Sequence, residues 1–193
     1  MVYNKCGDRM KNKFLIFKDE RLSFQKTLCL FILIMVFCGI FGFIYESFFY
    51  KIDLGYFVKR GSTFGPWIPI YAFGGLFIVI FTYKFKHNPF LVFLISILIT
   101  GILEYSTGYV LYEFFDTRLW DYNTEIWNYG NINGYICLRS VLFFGISSLF
   151  LIYLIIPWFI KLALNIEENK VKIISLFLGL LFLLDVIVYA IIK

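Results

Sequence analysis

The stretch "TLCLFILIMVFCGIFGFIY", residues 27–45, decides the fold class of this chain. It carries no charged side chain, and continued across Glu46 to Tyr50 it reaches the roughly 20 residues with which a helix crosses hydrocarbon. The whole chain is 61% hydrophobic and 22% aromatic, with a mean hydropathy of +0.80, whereas soluble domains are roughly 45–50% apolar. These values predict an integral membrane protein in contact with membrane lipid.

Four further apolar runs follow the first one, and turn-forming or charged residues separate them. They cover residues 66–83, 90–115, 134–160 and 171–192. No period-two alternation competes with the helical interpretation. The sequence therefore predicts an all-α membrane bundle of about five helices, in which the short run 66–83 either spans or re-enters. We expect two regions: a basic cytoplasmic segment, residues 1–26, and a membrane domain, residues 27–193.

Lysine and arginine residues are distributed unequally between the two ends of these predicted spans. Seven lie in residues 1–26, two in the turn after the second run and three in residues 161–172. The opposite end has five. Because cytoplasmic flanks carry the excess of these residues, we expect a cytoplasmic N-terminus and an external C-terminus. The net charge of +5 then reflects topology and requires no nucleic-acid partner.

Four ionisable residues interrupt the apolar runs: Glu46, Glu104, Arg139 and Asp185. Each costs at least roughly 2.5–3.5 kcal/mol to place in a bilayer, so such groups usually face protein or water. A rise of about 1.5 Å per residue places all four in the outer half of the membrane. We predict a polar pocket open to the outside, in which Arg139 pairs with Glu104 or Asp185 and Arg60 descends toward Glu46. The alternative is that Arg139 and Glu46 only reach the membrane interface, while Asp185 and Glu104 are structural partners.

The segment "RGSTFGPWIPIY", residues 60–71, lies between the first two runs on the same predicted side. Gly65 permits unusual backbone angles, and Pro66 favours an extended entry before a new helix. Tyr71 suits either the headgroup region or the mouth of the pocket. We interpret the segment as an entrance to the pocket, against the alternative of a plain interfacial turn.

A second polar segment, residues 114–138, alternates aromatic side chains with asparagines. Its aromatic residues are typical of a membrane interface, so anchoring is one interpretation. Trp120, Asp121 and Tyr122, with glycines nearby for tight turns, also suit a lid over the pocket. Both interpretations remain open from the residues alone.

Neither metal-binding nor nucleotide-binding patterns occur in the chain. The four cysteines form no CxxC pair and the single histidine has no ligand partner at regular spacing. The phosphate-binding pattern G-x-x-x-x-G-K-[ST] is also absent. We expect no metal, no cofactor and no ATPase activity of this chain itself.

Several motifs resemble a known family of bacterial membrane proteins. "RGSTFGPWIPIYAFG", residues 60–74, fits the family's pattern RG-x-x-x-GP-x-x-PIYG-x-G, with alanine at 72 in place of glycine. "LWDYN", residues 119–123, is similar to its WWDY element, with leucine for the first tryptophan, and "NINGYICLRS", residues 131–140, to its N-x-x-G-x-I-C-L stretch. On these motifs, together with Glu46 and Glu104, residues 37–160 resemble the family called "Putative ABC-transporter type IV". The fifth run lies outside the resemblance.

The resemblance implies a multi-pass protein of the bacterial cytoplasmic membrane: a permease-like component that moves a small solute or ion and works with a separate nucleotide-binding subunit. An intramembrane enzyme is the alternative, with Glu104 or Asp121 as acid or base and Arg60 and Arg139 binding the anionic headgroup of a lipid or polyprenyl substrate. A membrane partner protein without its own chemistry is the third. A homo-oligomer is compatible with each of them.

Overall fold

The computed structural model describes residues 16, 17, 20 and 22–192. Most of the predicted basic segment, residues 1–26, therefore lies outside the described residues. Within the described residues the chain is all-helical, as predicted. It forms five helices: α1 Phe24–Leu54, α2 Pro69–Thr82, α3 Pro89–Phe115, α4 Leu138–Asn165 and α5 Glu168–Ile192.

The ends of these helices follow the local sequence. The Ser23 side chain accepts the backbone N–H of Lys26 and caps α1, and Asn88 caps α3 in the same way. α1 ends at Gly55, whose φ of 83° is the left-handed conformation that glycine adopts without steric cost. Helix α2 continues as a 3-10 turn, Tyr83–Phe85, and α4 contains a π-helical turn, Leu151–Ile155.

Four helices, α1, α3, α4 and α5, are long and apolar enough to cross a membrane. The fifth, α2 with its 3-10 turn, covers only Pro69–Phe85, about 25 Å. It is short because the connection from Gly55 to Ile68 folds back along α1, where the Ile68 N–H bonds the Gly39 carbonyl at 3.0 Å. We call residues 55–68 the descending connection. Together with α2 it runs from the end of α1 back along the length of the bundle.

The bundle has two distinct ends. At the basal end, the start of α1 meets the α4–α5 turn, because Lys26 Nζ donates to the carbonyl oxygens of Ala163 and Ile166 at 2.5 and 2.9 Å. The α2–α3 turn lies at the same end, where Lys86 pairs with Glu20 at 2.8 Å. The connection 55–68 and the loop 116–137 lie at the other end, which we call the loop end.

Helix α1 is central to the packing and contacts α2, α4 and α5, while α3 packs between α2 and α4. Close approach of α1 and α2 requires glycine at position 42, because a Cβ there would lie 2.1 Å from Cγ of Tyr71. The apolar core fills the basal half, where Ile34, Val79, Val92 and Ile156 are fully buried. Polar side chains replace this core toward the loop end.

Candidate functional site

The loop end holds a cluster of charged side chains between α1, α3, α4 and the loop 116–137. We call it the polar cluster and define it by three carboxylates and two guanidinium groups: Glu46, Glu104, Glu125, Arg60 and Arg139. Glu104 and Glu125 are buried, and the other three side chains are 16–18% exposed. Charged groups removed from water in this way must be paired, neutralised or ligand-bound.

The first pair joins the descending connection to α1. Arg60 Nε lies 3.1 Å from Glu46 Oε2, and the guanidinium stacks on the Tyr50 ring, 3.6 Å from its centroid. Arg60 also donates to the Leu119 carbonyl at 3.3 Å, which ties the connection to the loop. The expected approach of Arg60 to Glu46 is confirmed. The backbone turn that permits it occurs at Gly61, where φ is 86°.

The second pair joins α4 to the loop. Arg139 Nη2 lies 2.6 Å from Glu125 Oε2, and the other oxygen of Glu125 accepts the Tyr50 hydroxyl. The Arg139 guanidinium also covers the Phe49 ring at 3.8 Å. Our expectation that Arg139 pairs with Glu104 or Asp185 was therefore wrong.

Glu125 was missed by the sequence analysis because it lies in a polar loop segment, where a carboxylate is ordinary. Its burial depends on the path of the loop, which is held to α1 by a bond of 3.1 Å from the Ile126 N–H to Asp53 Oδ1. No signal in the single sequence distinguishes Glu125 from the exposed acidic residues.

Glu104 of α3 has a different environment from the other two carboxylates. It is 4% exposed and contacts two hydroxyl groups, those of Tyr122 and of Ser140, the latter at 2.7 Å. It is in no ion pair within the described residues. Burial, together with the neighbouring Glu104, raises the pKa of the Tyr122 hydroxyl well above its ordinary value. The Tyr122 hydroxyl donates to Glu104 Oε1.

The loop 116–137 covers the polar cluster. It is closed on itself by Trp120 Nε1, which donates to the Tyr135 carbonyl at 3.0 Å, and by the Tyr122 N–H, which donates to the Gly134 carbonyl at 3.1 Å. Tyr122 and Glu125 point into the bundle from this loop. Asp121 lies on its outer side, paired with Arg118 at 2.8 Å and 32% exposed, so the structure keeps Asp121 apart from the cluster.

Asp185 also lies apart from the polar cluster. Its carboxylate accepts three N–H groups of the descending connection, from Phe64 at 3.0 Å, Gly65 at 2.7 Å and the Trp67 indole at 2.6 Å. The predicted convergence of Asp185 on Arg139 was wrong, because α5 packs chiefly against α1 and Asp185 binds the descending connection. Gly65 and Pro66 are thus parts of a turn that Asp185 holds against α5.

Two cavities border the polar cluster, and a third lies next to one of them. The largest, about 500 Å³, has Lys59, Arg60 and Glu46 on one side and apolar residues of α2, α3 and α5 on the others. A polar cavity of about 20 Å³ lies deeper, between Glu46, Tyr71, Glu125 and Arg139 among others. Glu46 and Trp120 line both of these cavities and so form the wall between them.

A third cavity of about 40 Å³ continues toward the basal half and is almost wholly apolar. Tyr71, Phe143 and Phe144 line both this cavity and the polar one, so aromatic rings separate the two. The π-helical turn of α4 borders it through Leu151 and Ile155. Turns of this type occur frequently at functional sites.

The described residues contain no group of three or more His, Cys, Asp or Glu side chains placed to hold a metal ion. The three described cysteines, Cys29, Cys38 and Cys137, are buried free thiols. The chemistry that this site offers is therefore that of carboxylates, guanidinium groups and phenols.

Comparison with known protein families identifies a match over most of the chain. The family model described as "Putative ABC-transporter type IV" matches residues 30–190. This range is longer than the resemblance seen over residues 37–160, and it includes α5 and Asp185. No curated protein and no solved structure matches the chain.

Proposed function

Because the chain belongs to the "Putative ABC-transporter type IV" family, we propose that it is the permease-like component of a transport system. Four long apolar helices make it a multi-pass membrane protein. In this proposal a small solute or ion enters the cavity of about 500 Å³ and passes toward the polar cluster. In this proposal the loop end faces the outside of the cell, since lysine and arginine are in excess at the basal end.

The observation that supports this proposal best is an ion pair that lies in the wall between two cavities. Arg60 and Glu46, 3.1 Å apart, border the larger cavity, and Glu46 with Trp120 also borders the polar one. Separation of this pair, with rotation of Trp120, would join the two spaces. A charged ligand that takes the place of Arg60 or Glu46 in the pair would keep the other partner's charge paired while the ligand moves toward the buried carboxylates.

The aromatic side chains below the polar cavity supply the second barrier that a transporter needs. Tyr71, Phe143 and Phe144 close the route toward the basal half. A site enclosed between two barriers suits alternating access, in which only one barrier opens at a time. The π-helical turn of α4 is the position at which we expect α4 to bend when the inner barrier opens.

ATP coupling, if it occurs, requires a separate nucleotide-binding subunit, because the chain has no phosphate-binding motif. The basal end is where such a subunit would bind. Its connections are short: the turn from Lys86 to Asn88 and the turn between Asn165 and Glu168. The proposal is thus a membrane component whose energy source comes either from a partner or from an ion gradient.

Transport is tested with purified protein in lipid vesicles, by uptake of radiolabelled inorganic ions, sugars and amino acids. We expect uptake of at least one of them, and its loss in Arg60→Ala although the variant still inserts in the membrane. Lys51→Ala is the matched control, because Lys51 is an exposed cation of the loop end that lines none of the three cavities. Uptake that is equal in both variants would contradict the proposed route.

A lipid-modifying enzyme is the second candidate, and the shape of the larger cavity favours it. Lys59 and Arg60 suit an anionic headgroup, while Phe73, Phe77 and Leu103 suit a hydrocarbon chain. Glu46 would be the acid or base, since Glu104 is enclosed and Asp121 lies outside. Incubation with phosphatidylglycerol and polyprenyl phosphates, followed by mass spectrometry, tests this function: a product that Glu46→Gln does not form selects the enzyme.

A further inference from the structure

We propose that Glu104 is a proton-binding site: its carboxyl group carries a proton at neutral pH and in that form holds the loop 116–137 closed over the polar cluster. The inference concerns one carboxyl group and applies equally to the transporter and to the enzyme. Two independent observations support it: the number of hydrogen atoms that the contacts of Ser140 require, and the charge balance of the polar cluster.

The first observation is a count of hydrogen atoms around Ser140. Its Oγ lies 2.7 Å from Glu104 Oε2 and 2.8 Å from the Cys137 carbonyl oxygen, and it accepts the Cys137 N–H at 3.4 Å. A serine hydroxyl has one hydrogen and two acceptor positions. If Glu104 were ionised, one of the two short oxygen–oxygen contacts would contain no hydrogen.

A proton on Glu104 Oε2 satisfies all three contacts. Glu104 then donates to Ser140, and Ser140 donates to the Cys137 carbonyl while accepting the Cys137 N–H. The other oxygen, Oε1, accepts the hydroxyl of Tyr122. Each contact contains one hydrogen, and α3, α4 and the loop are joined through a single neutral carboxyl group.

The second observation is the charge balance of the polar cluster. It contains three carboxylates and two guanidinium groups, and each guanidinium is paired with a carboxylate other than Glu104. An ionised Glu104, 4% exposed, would be a buried charge without a counter-ion. Such groups take up a proton in preference to remaining charged.

The charged and titratable groups that face Glu104 strengthen this preference. Glu46 of α1 and Glu125 of the loop add negative charge near Glu104, and Tyr71 of α2 is close enough to interact with it. The positive charge of Arg139 of α4 is directed to Glu125. The cluster with a protonated Glu104 has no net charge. Loss of the proton would leave an uncompensated negative charge beneath the loop.

Infrared spectroscopy of the full-length protein in lipid nanodiscs tests the inference. At neutral pH we expect the C=O stretching band of a protonated carboxyl group, shifted in D₂O and absent in Glu104→Gln. Glu113→Gln is the matched control, because Glu113 lies on the same helix but is exposed, and its spectrum should keep the band. A band that is missing at neutral pH, or that persists in Glu104→Gln, would overturn the proposal.

A second variant covers the case in which Glu104→Gln does not fold. Tyr122→Phe keeps Glu104 and the aromatic ring but removes the hydrogen bond to the carbonyl oxygen Oε1. We expect the band to remain and to move to higher frequency, since a C=O group without its donor has a stiffer bond. An unchanged frequency contradicts the proposed arrangement, as does a carboxylate band at neutral pH whose frequency depends on sodium or potassium.

Discussion

Replacement of Arg139 by glutamine should strongly reduce the stability of the protein. The substitution removes Nη2, which lies 2.6 Å from Glu125 Oε2, and leaves Glu125 with the Tyr50 hydroxyl as its remaining partner. The Glu125 side chain is only 5% exposed, so bulk water reaches it poorly once the guanidinium is removed. Breaking a buried pair from one side costs about 3–5 kcal/mol, a large share of a typical stability of about 5–15 kcal/mol.

The reciprocal variant, Glu125→Gln, should cost less. Its Arg139 side chain keeps contact with the Phe49 ring and is 16% exposed, so part of the guanidinium charge stays solvated or covered by an aromatic face. With both residues replaced, two neutral amides remain and no buried charge is left. We therefore expect the double variant to be more stable than Arg139→Gln, with a coupling energy of about 2–3 kcal/mol.

Reversible unfolding in mixed detergent micelles, followed by tryptophan fluorescence, measures these free energies. Lys170→Gln supplies the control, because its ion pair with Glu167 is 3.2 Å long but 67% and 75% exposed. That variant should lose less than about 1 kcal/mol. The burial argument fails if Arg139→Gln is no less stable than the control, or if the coupling energy of the cycle is close to zero.

Three further predictions concern other contacts. Asp185→Asn should lower the stability by about 2 kcal/mol, because one amide oxygen replaces a carboxylate that accepts three N–H groups; an unchanged melting temperature would contradict this. Gly42→Ala should cost about 1–3 kcal/mol in the same unfolding assay, since the new methyl group would lie 2.1 Å from Tyr71 Cγ. Lys86→Gln should cost less than about 1 kcal/mol at pH 7. The hydrogen bond from Lys86 holds the pKa of Glu20 below its ordinary value of 4.5. The difference in stability between Lys86→Gln and the unchanged protein should therefore be constant above pH 4.5 and disappear as the pH falls through the lowered pKa of Glu20. A difference without this pH dependence would show that the pair is absent.

Much of the candidate site could be predicted from the sequence, because its charged residues lie within or beside apolar runs. Glu46, Glu104 and Arg139 were recognised because each interrupts an apolar run, and Arg60 because it opens a glycine- and proline-containing segment beside one. The structure brings these four residues together in the polar cluster. Trp120, Tyr71 and Tyr122 line its cavities, and Gly65 and Pro66 form the turn bound by Asp185.

The amino-acid sequence by itself determined the helical class, the membrane environment and the approximate extent of each helix. The physical reason is that hydrocarbon offers no hydrogen-bond partner, so each long apolar run must satisfy its own backbone as a helix. Position along each apolar run also predicted a depth for each ionisable residue, because depth rises by about 1.5 Å per residue along a helix.

Only the tertiary structure decided which charges meet. Depth does not give the direction of a side chain around its helix, which turns by about 100° per residue, nor the side on which a neighbouring helix packs. Asp185 and Arg139 were predicted at one level, yet they belong to different contacts: α5 packs against α1, and Asp185 binds the descending connection. Glu125 became the partner of Arg139 because a polar loop folded inward, and such a path is set by long-range contacts that no local sequence pattern records.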